Sequence, residues 1–372
     1  MHVVALNWRD LANPLAGGAE IHMEAILRHI ARRGHRCTLI SSHFPGAARE
    51  THGDGYRIVR GGSEYTFNIA VPGLMRRVMR ENPADIVLDD INKIPFYSPL
   101  YARVPVLAVV PHLMGASVFQ EVTPVVAAAV FLAEQPVRFI YRRCHFEVIS
   151  ESTRDELVSR GYDRERISVV HCGIDRDVYH PASAGENGGP ARLIFVGRLK
   201  RYKFVDHAIR AVARLHTGHP NLTMTIVGDG DGRPAFEALV RELGLETTIR
   251  FAGFVSTDEK VRLLQEAHVL LNPSIKEGWG LTNVEANACG TVCVAADAPG
   301  LRDSVLDGRT GLLYPHGDVP AMAAAVDRLL ADAALRTQME SEALRWADSL
   351  TWERCGDETL ELIERVLAAH DA

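Results

Sequence analysis

Apolar and polar positions alternate along this chain in a way that predicts strand and helix in turn, twice over. Residues 2–7 form a short apolar run of the kind that becomes a buried strand, followed by the polar, glycine-bearing stretch Asn13-Pro14-Leu15-Ala16-Gly17-Gly18. A helix is predicted from about Ala19, because Met23, Ile26, Leu27, Ile30 and Ala31 fall on one face at helical spacing, and Gly34 ends it. Arg36 to Ser41 reads as the next strand, and apolar runs at 86–88, 104–110 and 146–149 alternate with helical stretches. This is the pattern of a parallel sheet wrapped by helices.

Between Tyr179 and Arg192 the composition shifts to His180-Pro181-Ala182-Ser183-Ala184-Gly185-Glu186-Asn187-Gly188-Gly189-Pro190, which supports neither helix nor strand. The expected division is therefore a first domain over 1–180, a linker over 181–191 and a second domain over 192–350. In the second domain Leu193 to Val196 is the first strand, and Val205, Ala208, Ile209, Val212 and Ala213 share a helix face after Lys203. Runs at 223–227, 249–251, 269–272 and 292–295 are further strands. Residues 351–372 read as a terminal helix expected to return to the first domain, Leu360, Ile363, Glu364 and Leu367 showing helical spacing but an imperfect stripe. The expected fold class is α/β, with two doubly wound parallel sheets facing across a cleft. Ligands of such sheets sit outside the carboxyl ends of the strands, so chemistry is expected in loops that follow strands.

Composition narrows the function without naming it. At 372 residues and 47% apolar composition the chain can bury a sizeable core, and a net charge of −6 gives no reason to expect a nucleic-acid partner. The six cysteines are scattered, with Cys289 and Cys293 too isolated from other ligands for a zinc or redox site, so reduced thiols and a cytoplasmic location are expected. The N-terminus shows no secretory pattern. The longest apolar run, Val125 to Ala133, is about half of the roughly 20 residues that span a bilayer, so no transmembrane segment is expected.

Chemistry concentrates in a few loops. Glu277-Gly278-Trp279-Gly280-Leu281-Thr282-Asn283-Val284-Glu285 carries two carboxylates separated by seven residues, after the strand that ends at Asn272. Its glycines let backbone approach a ligand, and Thr282 or Asn283 is a candidate cap for a helix bearing Glu285. Amides at such a helix start bind anions, while carboxylates accept hydrogen bonds from sugar hydroxyls. Gly197-Arg198-Leu199-Lys200-Arg201-Tyr202-Lys203 places four cations in six positions, either a solvated basic turn or a site that neutralises a departing diphosphate. Gly228-Asp229-Gly230-Asp231-Gly232 contains Asp-Gly-Asp, read as a turn rather than a metal site, so no metal is expected. Gly17 and Gly18, with Glu20, open the first helix as either a phosphate or acceptor contact or a tight turn. His112 ends a strand, and Ser150-Glu151-Ser152 reads first as a helix cap. Phe119 to Tyr141 is apolar enough to touch a lipid surface, but a core or cleft-lining helix is favoured.

Together, Gly17-Gly18-Ala19-Glu20, Gly197-Arg198 with Lys203, Gly228-Asp229-Gly230, and the Glu277 to Glu285 segment running into Ala286-Asn287-Ala288-Cys289-Gly290 resemble the retaining glycosyltransferases of family four over nearly the whole chain. The resemblance implies a GT-B fold of two Rossmann-like domains and a nucleotide-sugar donor, with no other cofactor. It implies a hexosyltransferase in which Glu277, Arg198, Lys203 and His112 are catalytic. Donor contacts would come from Glu285, Gly280, Leu281, Thr282, Gly17 and Gly18, and the acceptor side from Glu20 and Glu151. The acceptor would be a sugar, lipid-linked or natural-product hydroxyl, with peripheral contact at the inner membrane face as one setting. Two departures stand out: Asp303 where a Glu is common, and Phe204 where Gly usually follows the lysine. A nucleotide-sugar epimerase and a non-catalytic nucleotide-sugar binding protein are the competing readings. A nicotinamide dehydrogenase is disfavoured, since neither first-strand loop carries Gly-x-Gly-x-x-Gly.

Overall fold

The computed structural model describes residues 1–372 apart from 114, 116–117, 119–122, 183–188 and 372. The chain forms two compact units, Met1–Gly173 with Trp352–Ala372, and Ile174–Thr351. In the first unit the strands are β1 (His2–Leu6), β2 (Arg36–Ser42), β3 (Glu50–Gly53), β4 (Tyr56–Gly61), β5 (Ile86–Asp90), β6 (Val106–Val110), β7 (His145–Val148) and β8 (Ile167–Val169). Its helices are α1 (Gly18–Arg32), α2 (Phe67–Glu81), α3 (Pro124–Glu134), α4 (Val137–Ile140) and α5 (Glu151–Ser159). The second unit has β9 (Arg192–Val196), β10 (Thr223–Val227), β11 (Ile249–Gly253), β12 (Val269–Asn272), β13 (Val292–Ala296) and β14 (Gly311–Tyr314). With them are α6 (Val205–Leu215), α7 (Arg233–Glu242), α8 (Thr257–Glu266), α9 (Leu281–Ala288), α10 (Leu301–Ser304), α11 (Val319–Ala331) and α12 (Ala333–Asp348). The last helix, α13 (Trp352–Asp371), belongs to the first unit.

The first sheet runs β3-β4-β2-β1-β5-β6-β7-β8 and the second β11-β10-β9-β12-β13-β14. Every pairing is parallel except β3 with β4. That exception is a hairpin the periodicity did not signal, although Asp54-Gly55 is the turn chemistry it requires: both residues have positive φ, 50° and 87°. Parallel strands are buried on both faces, which is why β1 is buried throughout and apolar from Val3 to Leu6. Its Val4 and Leu6 join the core beneath α2 and α4, and its Val3 and Ala5 join the core beneath α1 and α13.

Three expectations need correction. The units divide at 173/174, so residues 174–180 pack with the second unit rather than the first. Arg176 anchors them there, donating to the Ala288 carbonyl at 2.6 Å and pairing with Asp348 at 2.9 Å. Residues 183–188 of the expected linker lie outside the described residues. The buried stripe of α13 is Cys355, Thr359, Leu362, Ile363 and Val366, with Glu364 exposed. This stripe packs on Met23, Ile26, Leu27 and Ile30 of α1. Within Phe119 to Tyr141, finally, the core half of the core or cleft-lining expectation holds for one side of α3 only: Ala127, Val130 and Glu134 are buried, with Val137 and Tyr141 beyond them, while Val125, Val126 and Leu132 are exposed.

One buried pair in the first unit carries a pH signature. Glu147 on β7 is fully buried and burial pushes its carboxyl up to about 8, while burial takes the His22 imidazole down to about 4. The two lie 3.9 Å apart. An acid with a raised folded pKa holds a proton the unfolded chain has lost, so its contribution makes stability fall between about 4.5 and 8. A base with a depressed pKa acts oppositely, making stability rise between about 4 and 6.5. The two oppose each other below pH 6.5 and only the Glu147 loss remains above it. Relative to wild type, Glu147→Gln should therefore gain on the order of 2 kcal/mol of unfolding free energy between about pH 6.5 and 8. Urea denaturation at a series of pH values reads this directly, and a pH-independent difference would refute it.

Candidate active site

In the second unit the loops leaving the carboxyl ends of adjacent parallel strands are tied to one another by backbone. Strands β9 and β12 are neighbours, as are β12 and β13. After β12, the Ile275 amide donates to the Tyr202 carbonyl at 3.2 Å, reaching the loop after β9. Two residues later the Glu277 amide donates to the Pro299 carbonyl at 3.0 Å, reaching the loop after β13. A Cβ on Gly300 would lie 2.3 Å from the Glu277 carbonyl oxygen, so only glycine permits this approach.

Side chains complete the tie. Lys203 from the β9 loop donates to and pairs with Glu277 from the β12 loop, both mostly buried at 15% and 18% exposure. Burial alone would lower the Lys203 ammonium, but the Glu277 carboxylate more than offsets it and raises it. The other cations of that loop differ in kind. Lys200 pairs with Asp231 at 2.7 Å. Arg198 is exposed, and no carboxylate among the described residues lies within ion-pair reach of it.

The Asp-Gly-Asp segment acts on this basic loop through its backbone. Leu199 donates to the Asp229 carbonyl at 2.9 Å, and Gly232 donates back to the Leu199 carbonyl at 2.8 Å. A Cβ at Gly228 would lie 2.0 Å from the Gly197 oxygen, and one at Gly230 2.5 Å from the Leu199 oxygen. Asp229 accepts from the Gly230 amide and pairs with Arg233. The turn thus clamps the loop that presents Arg198.

The helix carrying Glu285 starts differently from expectation. Neither Thr282 nor Asn283 caps α9; the cap is Gly280, left-handed at φ 88°, and Leu281 and Thr282 are the first helical residues. Asn283 is withdrawn into a buried chain in which Asn272 donates to it at 2.9 Å and it donates to the Ser304 hydroxyl at 3.0 Å. The amides at the start of α9 therefore lack a side-chain cap. Glu285 pairs with Lys260 at 2.9 Å, and the Tyr179 hydroxyl faces it, the phenol being raised by burial and by that carboxylate. Neither Lys260 nor Tyr179 was legible as a site residue, since each meets Glu285 only through tertiary packing of α8 and of residues 174–180.

Phe204 is a further surprise. It sits at φ 49°, a left-handed conformation uncommon for a bulky residue, as the residue that opens α6. Its ring packs 4.8 Å from each of His207 and His316. The His316 imidazole, held low by burial and by His207, bonds the Pro273 carbonyl. Packing of the ring thus substitutes for the conformational freedom of glycine.

The first-unit candidates follow their own strands, Gly17 and His112 on loops and Gly18, Glu20 and Glu151 in the first turns of α1 and α5, and two of them are already engaged. The Glu20 carboxylate is buried and accepts from the Gly17 amide at 2.7 Å, closing the start of α1 at Gly17 and Gly18. It caps the start of α1, and the Gly17 amide is committed to it. Glu151 pairs with Arg154 in the first turn of α5, whose cap is Ser150, accepting from Thr153 at 3.1 Å. His112 is half-buried on the loop after β6.

Two Rossmann-like units with clamped loops at the strand ends define a protein of the GT-B class, and comparison with known proteins places it further. Residues 16–178 match the model for Glycosyltransferase Family 4, and residues 179–346 the model for Glycosyl transferases group 1. The chain belongs to the family-four glycosyltransferases. It is 34% identical over 236 residues to the D-inositol 3-phosphate glycosyltransferase of Streptomyces avermitilis, covering 58% of this chain and 50% of that one. It is 33% identical over 215 residues to the glycogen synthase of Mycobacterium tuberculosis, covering 57% and 52%. The chain thus spans about half the length of the curated relatives it matches. Among solved structures, sucrose-phosphate synthase from Thermosynechococcus elongatus superposes with a TM-score of 0.85 at 20% identity over 99% of both chains. Anabaena HepE in complex with UDP and glucose gives 0.77 at 18%, covering 98% of this chain and all of that one.

The clamp predicts a contrast between two glycines with positive φ. Gly228→Ala meets backbone at once, whereas at Gly308, φ 71°, nothing lies within 4 Å of an added Cβ. Gly308→Ala should cost about 1 kcal/mol from backbone strain alone, and Gly228→Ala at least about 2 kcal/mol more. Urea titrations of both variants check the order; equal losses would show that the loop contact is not close.

Proposed function

We propose that this chain transfers a hexose from a nucleoside-diphosphate sugar to an acceptor hydroxyl with retention at the anomeric carbon, and without a metal. The observation that carries the reading is the Lys203–Glu277 pair at the ends of neighbouring strands, beside an exposed Arg198 and the uncapped start of α9. Family membership supports the reaction class, and the two curated relatives and the sucrose-phosphate synthase named above are a glycosyltransferase and synthases rather than epimerases.

In this reading the donor diphosphate draws Lys203 away from Glu277 and binds between Lys203, Arg198 and the amides of Leu281 and Thr282 near Gly280. Glu277, released, accepts hydroxyls of the hexose, and Glu285 those of the ribose. His112 and the Gly17–Gly18 loop are the first unit's contributions to the donor. The bond from the anomeric carbon to the diphosphate oxygen breaks while the acceptor oxygen bonds to the same face of that carbon. The acceptor proton passes to the departing phosphate oxygen, so no protein nucleophile is used. The Lys203 ammonium, raised by the Glu277 carboxylate, is charged when the donor arrives, which suits it to meeting the diphosphate. The acceptor is a sugar, lipid-linked or natural-product hydroxyl. The scattered spacing of the six cysteines supports a cytoplasmic setting in this reading. No helix among the described residues is long and apolar enough to cross a membrane.

Screening UDP-, GDP- and ADP-sugars for hydrolysis identifies the donor, and NMR of the product reads the anomer. Retention is expected, and an inverted product would contradict the mechanism. Glu277→Gln should lower transfer by roughly 10²–10³-fold, while nucleotide affinity on the same preparation changes far less. A parallel loss of affinity and turnover would remove Glu277 from the hexose.

A further inference from the structure

The acid assigned above to the ribose is held from two sides by groups that the transfer chemistry leaves unused. Lys260 on α8 donates to Glu285 at 2.9 Å, the two side chains being 22% and 12% exposed. The same ammonium lies 4.9 Å from the centroid of the Tyr179 ring, and the Tyr179 hydroxyl faces the Glu285 carboxylate. Cation, ring and acid thus form one compact triad in which each member meets the other two.

Each member is fixed by its own element. Ser256 caps α8, accepting from the Glu259 amide at 3.2 Å, and Val261, Leu263 and Leu264 bury that helix. Lys260 follows the cap by one turn, where the helix dipole disfavours a cation, so its stabilisation comes from the carboxylate it meets and not from its own helix. Tyr179 is pinned through backbone. Its carbonyl accepts from Arg176 at 3.1 Å, and Arg176 also donates to the Ala288 carbonyl, at the end of α9, at 2.6 Å. Gln265 of α8 donates to the neighbouring His180 carbonyl at 2.7 Å. Residues 174–180, α8 and α9 are thereby locked around Glu285. An ionised carboxylate offers about four lone-pair positions. Lys260 takes one at Oε1, and Oε2 has no hydrogen-bond partner among the described residues. Two hydroxyls on adjacent carbons can therefore be accepted while the lysine stays in place, unlike Lys203, which leaves Glu277 in the reading above. A glutamate without such support would sample several rotamers, and ordering it on the ligand would weaken binding.

We propose that Lys260 and Tyr179 are positioning residues that hold Glu285 in its ribose-reading conformation, and that they thereby set the preference of this site for a ribonucleotide over a nucleotide lacking the ribose hydroxyls. The inference deepens the proposed function and rests on its assignment of Glu285 to the ribose. Lys260 acts through the carboxylate and not on the donor itself. The competing role, a lysine that draws in the diphosphate by charge alone, would favour nucleotides with and without the hydroxyls equally.

Calorimetric titration of the full chain with UDP, GDP and ADP, and with the 2′,3′-dideoxy form of each, separates the two roles. With the base that binds, the wild type is expected to favour the ribonucleotide by at least about tenfold, since each missing hydroxyl forfeits a hydrogen bond to a charged group. Lys260→Met keeps a stem over the Tyr179 ring and removes the charge. It should bring the preference to within about threefold by weakening the ribonucleotide, with the dideoxy affinity unchanged as the sign of an intact site. Lys260→Arg, which keeps the cation, should restore most of the preference. Tyr179→Phe, which keeps the ring and loses the hydroxyl, should lower it about threefold. An undiminished preference in Lys260→Met, or an equal loss for both forms of the nucleotide, overturns the proposal while leaving Glu285 on the ribose; an undiminished preference in Tyr179→Phe removes Tyr179 from it. A wild type that binds both forms alike, or binds none of the nucleotides, defeats the reading of Glu285 and the proposal with it.

Discussion

The pairing of Lys203 with Glu277 is the interaction on which the second unit's strand-end edge depends. Each residue sits on a loop that follows a strand, and a mostly buried charge without its partner would be strongly disfavoured. The pair is supported by backbone on both sides: Ile275 bonded to the Tyr202 carbonyl, Glu277 bonded to the Pro299 carbonyl. Three loops from three adjacent strands are thereby held as one piece. A raised ammonium, an exposed guanidinium and uncapped helix amides face the same end of the sheet. In the proposed reading this end of the sheet meets a diphosphate with charge already in place, and the parting of Lys203 from Glu277 is the rearrangement that binding requires.

Glycine supplies the closeness and buried amides supply the order. Gly228, Gly230 and Gly300 each bring backbone to within a distance that a Cβ would forbid, and the strand-end loops rest on those contacts. The Asn272–Asn283–Ser304 chain performs the complementary task, drawing Asn283 inward so that it does not cap α9. Phe204 shows that glycine is not the sole route. A left-handed phenylalanine is tolerated where two imidazoles receive its ring, which gives the start of α6 a rigid corner next to Lys203.

The sheets and the motif-bearing loops were legible because parallel strands buried on both faces leave unbroken apolar runs, and because loops that approach a ligand keep their glycines and charges. β12 was read at its true bounds, 269–272, and the loops carrying Arg198, Lys203 and Glu277 stood out by their charges and glycines, while the roles of those residues came from the family resemblance. What was not legible depends on distant partners. Glu20 looks like an open carboxylate until Gly17 is seen donating to it, and Thr282 looks like a cap until Gly280 takes the left-handed position. Lys260 and Tyr179 reach Glu285 from elements 25 or more residues away in sequence. The stripe of α13 was misplaced because Thr359, a polar residue, is buried in it while Leu360 is not fully so. The exposed side of α3 escaped for the opposite reason: an apolar run gives no hint of which side will be left uncovered.

The most direct measurement of the central claim is amide hydrogen exchange of the whole chain with and without each of UDP, GDP and ADP. Slowed exchange is expected to fall jointly on residues 197–203 and 277–285 with the nucleotide that binds, as one set of loops holding one ligand. Protection confined to a single one of these segments, or found on the loops after β10 and β14 instead, would contradict the account.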